Sequence, residues 1–241
     1  FEGRPWLDQI SYRIIPEPPI SELEFMVGGI DLEAPQPFQY ERLARDRKFE
    51  VFKRLANSYT YIGWNNRLAL FKDRKVRMAL THAINRQQIV KYLLYDLGVL
   101  APGPFPSQMW YSNPKVAPIP YDPQRARELL AEAGWKDSDG DGVLDKDGKP
   151  FRFVLMTNNG NVLRQNIAVL VQRQLKEVGI VVEVELYEWS VFIRDKINAR
   201  NFEATVLGWS LGLDPDIYEI WHSSQKDKGF NFIGYENPEV D

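Results

Sequence analysis

The sequence lacks cysteine entirely and has only two histidines, His82 and His222, among its 241 residues. The absence of cysteine excludes thiol catalysis, disulfide scaffolds and cysteine-based zinc sites. Two histidines leave little material for histidine chemistry. No apolar run approaches the roughly 18 residues that a membrane-spanning helix needs. Together these absences remove more classes of enzyme than classes of binding protein.

A charge excess of either sign is also missing, because 30 basic residues face 33 acidic ones and the formal net charge is −3. A general nucleic-acid binder needs a basic excess for its phosphate contacts, so we expect no nucleic-acid partner. A hydrophobic content of 44% with 26% charged residues is typical of folded protein rather than of disorder. The length suits one large or two small domains.

Hydrophobic periodicity predicts an α/β fold. Alternating residues predict strands at 8–15, 151–155, 180–187 and 202–207, and helical spacing predicts helices at 21–28, 38–45, 73–98, 122–134, 162–178 and 191–199. The strand, helix and strand between 151 and 187 form a βαβ unit, whose two strands we expect to be parallel. Seven prolines between Ala101 and Pro123 exclude regular structure there and predict a loop that wraps the surface or borders a site.

The segment Gly208-Trp209-Ser210-Leu211-Gly212 fits the G-x-S-x-G pattern of a hydrolase nucleophile elbow, directly after a predicted strand. That motif must lead straight into a helix, whereas Asp214-Pro215 interrupts the chain here. The only downstream histidine, His222, follows too closely to come from a separate element. An esterase that uses Ser210 is therefore the enzyme alternative, and a glycine-flanked loop is the structural interpretation.

An acidic segment at 137–148 resembles the start of an EF-hand calcium loop, with aspartates at positions 1, 3, 5 and 9 and Gly142 at position 6. Position 12 is Gly148, where the motif needs a bidentate glutamate. Structural calcium binding and a solvated loop of Asx turns are both open interpretations.

Two tryptophans, Trp189 and Trp209, come where a predicted strand gives way to a loop. Ligands of open α/β sheets gather at the carboxyl ends of the strands, so these indoles are candidate walls of a binding site. Asp214 could accept an amine of the ligand or cap the helix that follows.

Short motifs of different sequence are distributed over nearly the whole chain. The longest runs from Phe71 to Arg86 and has the form F-x-D-x-x-V-R-x-A-L-x-x-A-I-x-R. Further motifs are Gly29-Ile30-Asp31, Leu129-Leu130-Ala131-Glu132-Ala133-Gly134-Trp135, Gln174-Leu175, Glu188-Trp189 and Gly208-Trp209. Together they resemble the extracellular solute-binding proteins of ABC transporters, specifically the family 5 oligopeptide, dipeptide and nickel binders.

The resemblance implies a periplasmic-binding-protein-like fold of class II, a two-lobed clamp that closes over its ligand by a hinge motion. Residues 1–62 would be a remnant of lobe I up to the hinge, with one crossing near 59–65. Residues 63–241 would be lobe II, the ligand-binding α/β lobe. A helix start at Asn237-Pro238, close to the last residue, predicts that this lobe is truncated there.

The resemblance also implies a function: the substrate-binding component of an ABC importer, which captures an extended oligopeptide and delivers it to the permease. Peptide binders of the family hold the ligand as an added strand. The residues that match their site are Trp189, Gly208, Trp209 and Ser210, with Asn158 as a further candidate. Peptide binders also carry an aspartate just beyond the Gly-Trp pair, which binds the ligand's terminal ammonium. Leu211-Gly212-Leu213 stands there in this sequence.

Asp214 is the nearest carboxylate to that departure and is the candidate replacement. The alternative ligand is an oligosaccharide stacked on the tryptophans. The resemblance further implies a monomer without cofactor, catalytic residue or metal ligand. It places the protein outside the cytoplasm, in the periplasm or on the cell surface, with any lipid anchor outside this chain. With half of the cleft missing, we expect the isolated chain to bind ligand weakly or not at all.

Overall fold

The computed structural model describes residues 3–214 and 216–241, and the chain divides into two compact units at Lys53/Arg54. This division comes nine residues before the boundary expected at 62/63. Whether the units correspond to a lobe I remnant and lobe II stays a prediction. No helix in the described ranges is both long and apolar enough to cross a membrane.

The first unit is built on two helices, α1 (Pro18–Met26) and α2 (Tyr40–Arg45), the second preceded by a 3₁₀ turn at Pro37–Gln39. The Glu22 carboxylate accepts hydrogen bonds from Gln39 and Arg42, and the ring of Phe25 stacks on that of Phe49 with centroids 4.8 Å apart. The strand predicted at 8–15 is wrong. Its residues are exposed or nearly so, and no strand in the described part of the chain pairs with them.

The described residues of the second unit form six strands. They are β1 (Ser58–Trp64), β2 (Asp145–Lys146), β3 (Lys149–Pro150), β4 (Arg152–Asn158), β5 (Val181–Tyr187) and β6 (Ala204–Ser210). The main sheet has the order β1-β6-β4-β5, and β2 and β3 form a separate hairpin. β4 is parallel to β5 and β6, whereas β1 is antiparallel to β6. The predicted βαβ unit and its parallel strands are confirmed, and the predicted hinge segment is mostly strand β1.

The helices of this unit are α3 (Ala69–Lys72), α4 (Arg74–Ala83), α5 (Arg86–Gln88), α6 (Pro123–Glu132), α7 (Val162–Lys176), α8 (Trp189–Val191) and α9 (Tyr218–Trp221). Single π-helical turns continue α5 at Ile89–Leu93 and α8 at Phe192–Ile197. Side-chain caps begin the longer helices: Asp73 for α4, Asp122 for α6 and Asn161 for α7. Each cap satisfies a backbone N–H that has no partner within its helix.

The long helix predicted at 73–98 is broken in the structure. Ile84 is extended, with φ −101° and ψ 114°, and ends α4. The Asn85 side chain accepts from the Gln88 N–H, and the Asn85 N–H donates to Oε1 of the buried Gln174, at 2.9 Å. Because asparagine competes with the helix for backbone hydrogen bonds, it begins a new turn here. The helix predicted from Asn237-Pro238 is a single turn within the described residues.

The two faces of the main sheet are covered differently. The helical face is covered by α4, α6 and α7 over a continuous core that includes Phe71, Leu80, Leu130, Phe153 and Val171. The loop face is covered by the π-helical turn after α8 and by residues 226–233, over a smaller core that contains Met156, Phe192, Ile197, Leu207 and Phe232. Strand alternation assigns successive residues of β4 and β6 to opposite faces.

Candidate functional site

The predicted site residues come together at one edge of the main sheet, which we name the carboxyl edge. β4, β5 and β6 are parallel and all end there. Asn158 is the last residue of β4, Trp189 comes two residues after the end of β5, and Ser210 is the last residue of β6. This is the edge at which open α/β sheets place ligands.

Arg164 is the residue that links these positions, and sequence reasoning missed it. The Asn161 side chain caps α7 by accepting from the Arg164 N–H at 3.0 Å, which places Arg164 in the first turn, above the carboxyl edge. Arg164 Nη1 donates to Asn158 Oδ1 at 2.9 Å. The guanidinium carbon lies 5.8 Å from the centre of the Trp189 ring, within cation–π range. An asparagine cap shortly after a buried strand is the signal that could have found it.

Arg164 is an arginine without a carboxylate partner among the described residues, since its recorded contacts are an amide and an aromatic ring. Burial lowers the pKa of Arg164 from its ordinary value, because desolvation disfavours the charged form. A half-buried cation with donors to spare suits a carbonyl or carboxylate oxygen of a ligand.

The backbone at Trp189 is fixed by a side-chain cap at the start of α8. The preceding residue, Glu188, accepts from the N–H groups of Ser190 at 2.7 Å and Val191 at 3.1 Å. These hydrogen bonds lower the pKa of Glu188. The indole itself is 49% exposed, so that one face remains accessible to a ligand.

Gly208 is required by close approach at this edge. A Cβ at this position would lie 3.0 Å from the Tyr59 carbonyl oxygen and 3.4 Å from Arg164 Nη2. The backbone oxygen cannot give way easily, so a larger residue would displace either β1 or the guanidinium.

The backbone N–H and C=O groups of Gly208 and Ser210 point away from β1. The Leu211 N–H donates to the Asn57 carbonyl at 2.8 Å, which makes 57/211 a hydrogen-bonded antiparallel pair. Because hydrogen-bonded and non-hydrogen-bonded pairs alternate, 58/210 and 60/208 are non-hydrogen-bonded pairs. The N–H and C=O groups of Gly208 and Ser210 therefore point to the other side of β6, the side of β4. There β4 pairs with β6 only at Ala204 and Thr205. Within the described chain, β1 pairs with this last part of β6 on one side, and no strand pairs with it on the other side beyond Thr205.

Trp209 has different surroundings from Trp189. Its ring lies on the loop face and stacks on Phe232, with centroids 5.6 Å apart and an interplanar angle of 10°. Phe230 adds a tilted contact at 5.7 Å. The ring is half-buried, so it is both part of the smaller core and a wall next to the free end of β6.

The nucleophile-elbow interpretation of Ser210 does not fit the structure. Gly208, Trp209 and Ser210 lie inside β6, and the next helix among the described residues begins only at Tyr218. An elbow requires a sharp turn from strand to helix at the serine itself. Ser210 ends a paired strand instead.

Asp214 lies beyond the strand, in an exposed turn. Its Oδ1 accepts from the Asp216 N–H at 3.0 Å, and Asp216 Oδ1 accepts from the Tyr218 N–H at 2.9 Å. The two carboxylates thus organise the approach to α9. Pro215, which the sequence places between them as a helix breaker, lies outside the described residues.

The proline-rich loop comes close to the same edge. Gln108 Nε2 donates to the Ala56 carbonyl at 2.8 Å, next to Asn57, whose Nδ2 donates to the Leu211 carbonyl at 2.7 Å. At its far end the loop is held by His82, whose ring nitrogen lies 3.0 Å from the Pro120 carbonyl oxygen. The loop therefore borders the carboxyl edge.

The acidic segment forms a turn that is closed by its own backbone. Carboxylate oxygens of Asp137, Asp139 and Asp141 lie within 4.8 Å of one another and are exposed. Asp137 accepts from the N–H groups of Gly140 and Gly142, and Asp141 from that of Val143. Residues 145–150 continue as the β2–β3 hairpin, so the helix that leaves an EF-hand loop is absent from this described segment. Calcium binding stays untested.

Comparison with known proteins gives a consistent result. A family model described as "Bacterial extracellular solute-binding proteins, family 5 Middle" matches residues 1–231. The oligopeptide-binding protein AppA of Bacillus subtilis is 44% identical over 100% of this chain and 45% of its own length. The heme-binding protein A of Haemophilus influenzae is 27% identical over 87% of this chain and 37% of its own length.

A solved structure of Bacillus subtilis AppA in complex with a nonapeptide superposes with a TM-score of 0.87 at 43% identity, and covers 100% of this chain and 48% of that one. The chain thus spans about half the length of the curated relatives it matches. This similarity confirms the predicted fold class, a mixed α/β arrangement of the periplasmic-binding-protein type.

Proposed function

The chain belongs to the bacterial extracellular solute-binding proteins of family 5, and from this premise we propose that it serves an ABC importer by capturing an extended oligopeptide. The relative that is 44% identical is an oligopeptide-binding protein, and its solved complex holds a nonapeptide. The ligand would be delivered to the importer's permease. In this proposal the chain performs no catalysis and needs no cofactor.

The observation that carries the proposal is the unpaired backbone at the end of β6. Gly208 and Ser210 direct N–H and C=O groups away from β1, past the last residue that pairs with β4. An extended peptide can add to such an edge as a further strand, with main-chain hydrogen bonds that do not depend on side-chain identity. An oligosaccharide has no matching row of alternating donors and acceptors.

The side chains around this edge supply the other contacts of the proposed site. Trp189 and Trp209 offer large, partly exposed apolar surfaces for ligand side chains. Arg164 offers a cation for a ligand carbonyl or carboxylate and is oriented by Asn158. These contacts suit a peptide, whose polar groups alternate with apolar side chains.

Asp214 remains the proposed partner of a terminal ammonium. Its Oδ1 holds the turn, and its second carboxylate oxygen has no hydrogen-bond partner among the described residues. The Asp214→Asn variant would keep the Oδ1 acceptor and remove the charge. We expect Asp214→Asn to bind a peptide with a free amino terminus more weakly than the wild type does, and to bind the N-acetylated peptide as the wild type does. Asp216→Asn is the matched control. Equal affinities in all three proteins would remove Asp214 from the site.

We further propose a monomer that works outside the cytoplasm, in the periplasm or as a cell-surface lipoprotein. The family consists of extracellular proteins, in agreement with such a location. Any lipid anchor would lie outside these residues.

Native mass spectrometry of the gene product that contains these residues tests the ligand class. We expect co-purified peptides, released on denaturation and identified by their fragmentation. An oligosaccharide or a heme in their place would overturn the peptide proposal.

The backbone ladder is tested by substituting Ser210 in that gene product. Ser210→Pro removes the N–H that points to the free edge and leaves the 59/209 and 57/211 pairs to β1 intact. Ser210→Ala keeps the N–H and removes only the hydroxyl. We expect the affinity of the proline variant for a nonapeptide to fall about tenfold, which corresponds to about 1.4 kcal/mol of binding free energy for one lost hydrogen bond. The alanine variant should bind like the wild type, and equal affinities of both variants would contradict the added-strand geometry.

A further inference from the structure

The loop face carries a segment, residues 226–233, that covers the sheet without belonging to a helix or a strand. Phe232 in this segment is buried and stacks on Trp209. Buried loops are uncommon, because the backbone polar groups need partners that a regular element would provide. The carbonyls of Lys226, Gly229 and Phe232 accept hydrogen bonds from arginine side chains.

Arg200 supplies two of these hydrogen bonds. Its Nε donates to the Lys226 carbonyl at 3.1 Å and its Nη2 to the Gly229 carbonyl at 2.6 Å. Its Nη1 donates to the carbonyls of Ile197 and Asn198, at 3.2 and 2.9 Å, at the end of the preceding π-helical turn. One guanidinium therefore ties the segment to the turn that bears Phe192 and Ile197.

The same guanidinium also contacts the aromatic ring that supports Trp209. Its carbon lies 4.9 Å from the centre of the Phe232 ring, within cation–π range. The order of contacts is Arg200, then Phe232, then Trp209. Burial lowers the pKa of Arg200, with neighbouring Arg67 acting in the same direction, whereas Asp227 raises it.

Arg67 holds the same segment from the β1 side. Its Nη1 donates to the Phe232 carbonyl at 2.9 Å and its Nη2 to that of Lys226 at 2.5 Å. The Lys226 carbonyl thus accepts from both arginines. Arginine suits this task because its planar fork offers five donors in fixed directions, whereas lysine has a single ammonium.

We propose that Arg200 is a positioning residue of the binding site, which fixes Phe232 and thereby the plane of the Trp209 indole at the free end of β6. This inference rests on the proposed function, because it assigns Trp209 to the ligand. Arg200 itself touches no ligand in this proposal. Its effect passes through Phe232.

The test compares three variants of the full gene product: Arg200→Ala, Arg200→Lys and Arg127→Ala. Arg127 is the matched control, because it also donates to a backbone carbonyl, that of Glu177 at 3.0 Å, and lines a surface cleft with Trp135 and Val178 of the helical-face core. Affinity for a fluorescein-labelled synthetic nonapeptide is measured by anisotropy. The near-ultraviolet circular dichroism of each variant is compared with that of Trp209→Phe.

We expect Arg200→Ala to weaken nonapeptide binding about tenfold, which is the effect of losing about one hydrogen bond to a charged group. The variant should also lose the near-ultraviolet signal that Trp209→Phe removes. Arg200→Lys should lie between Arg200→Ala and the wild type in both measurements. Arg127→Ala should match the wild type in both.

Unchanged affinity and an unchanged spectrum in Arg200→Ala or, where that variant does not fold, in Arg200→Lys would overturn the inference. Failure of the wild-type protein to bind any peptide would instead overturn the proposed function. The spectral comparison needs no ligand and still decides whether Arg200 orients Trp209.

Discussion

The two faces of the main sheet are stabilised by different means. The helical face carries the larger core, in which side chains from α4, α6 and α7 bury one another and the backbone groups are satisfied within the helices. The loop face has a smaller core under residues 226–233, in which the carbonyls of Lys226, Gly229 and Phe232 accept from Arg67 and Arg200. Hydrophobic burial dominates on the first face, and side-chain hydrogen bonds to the backbone are essential on the second.

This difference explains where the proposed site can lie. On the loop face, the segment 226–233 reaches the last part of β6 through Phe232, which stacks on Trp209. The other side of the Trp209 ring is partly exposed near the end of β6. The loop face therefore contributes Trp209 to the proposed site, whereas Trp189, which is 49% exposed, lies beside Arg164 of α7.

The largest effect on stability is expected on the helical face. Phe153 is 1% exposed and makes edge contacts with Trp64 and Phe71. Phe153→Ala should lower the free energy of unfolding by about 3–5 kcal/mol, through lost burial and the cavity left behind. Urea denaturation measures this. Phe230→Ala, at a ring that is 46% exposed on the loop face, should cost less than about 1.5 kcal/mol, and equal costs would contradict the comparison.

The loop face should be most sensitive to a polar truncation. Asn231 is fully buried, and its Nδ2 donates to the carbonyls of Trp221, His222 and Tyr235, while its Oδ1 accepts from the Tyr235 N–H. Asn231→Ala leaves these groups unsatisfied and should cost about 2–3 kcal/mol.

The control for Asn231 is Asn113→Ala, an exposed asparagine that accepts from the Lys115 N–H. Its cost should stay below about 1 kcal/mol. If Asn231→Ala proved no more costly than this control in urea denaturation, hydrogen bonding would not be what holds the loop face.

The helical face was far easier to predict from sequence than the loop face. The βαβ unit from 151 to 187 is confirmed, because its alternating strands and its helical spacing are local patterns. Trp189 follows its strand as the same patterns predicted, whereas β6 extends to Ser210, so the loop predicted from Gly208 onward is wrong for residues 208–210. Residues 226–233 gave no such signal, because their fold depends on Arg67 and Arg200, which are distant in sequence.

Three errors have physical causes of the same kind. Alternation predicted a strand at 8–15, but a strand needs a partner that alternation does not supply. Helical spacing continued through Ile84, where the Asn85 side chain and Gln174 favour a break. Arg164 was missed because its importance comes from Asn158 and Trp189, neighbours in space that only the parallel sheet brings together.

A smaller effect is expected at the start of α4, on the helical face. Asp73 Oδ1 accepts from the Lys75 N–H at 2.8 Å and caps the helix. Asp73→Ala should cost about 1 kcal/mol in urea denaturation, whereas Asp73→Asn should keep most of the cap. An alanine variant as stable as the wild type would show that packing alone holds α4 in place.

The smallest effect at neutral pH, and the most specific, is expected at Tyr59 on the loop face. Its hydroxyl and the Trp221 Nε1 are buried without a hydrogen-bond partner among the described residues. Burial raises the pKa of Tyr59 to about 12, from an ordinary value of 10, although nearby Trp221 counteracts part of the shift. Near pH 7 the Tyr59→Phe variant should be as stable as the wild type or slightly more stable, because it removes an unpartnered polar group.

At alkaline pH the two proteins should differ. A raised pKa means that the unfolded chain loses this proton first, so the stability linked to Tyr59 is intact below pH 10 and is lost as the pH rises through about 12. Tyr59→Phe should therefore lose less stability between pH 9 and 11 in urea denaturation, while Tyr61, whose pKa burial also raises, leaves a residual decline. Tyr121→Phe, at a 40% exposed side chain, serves as the control. Parallel profiles for all three proteins would mean that the Tyr59 hydroxyl is hydrated in solution, and that the loop face admits water where the helical face does not.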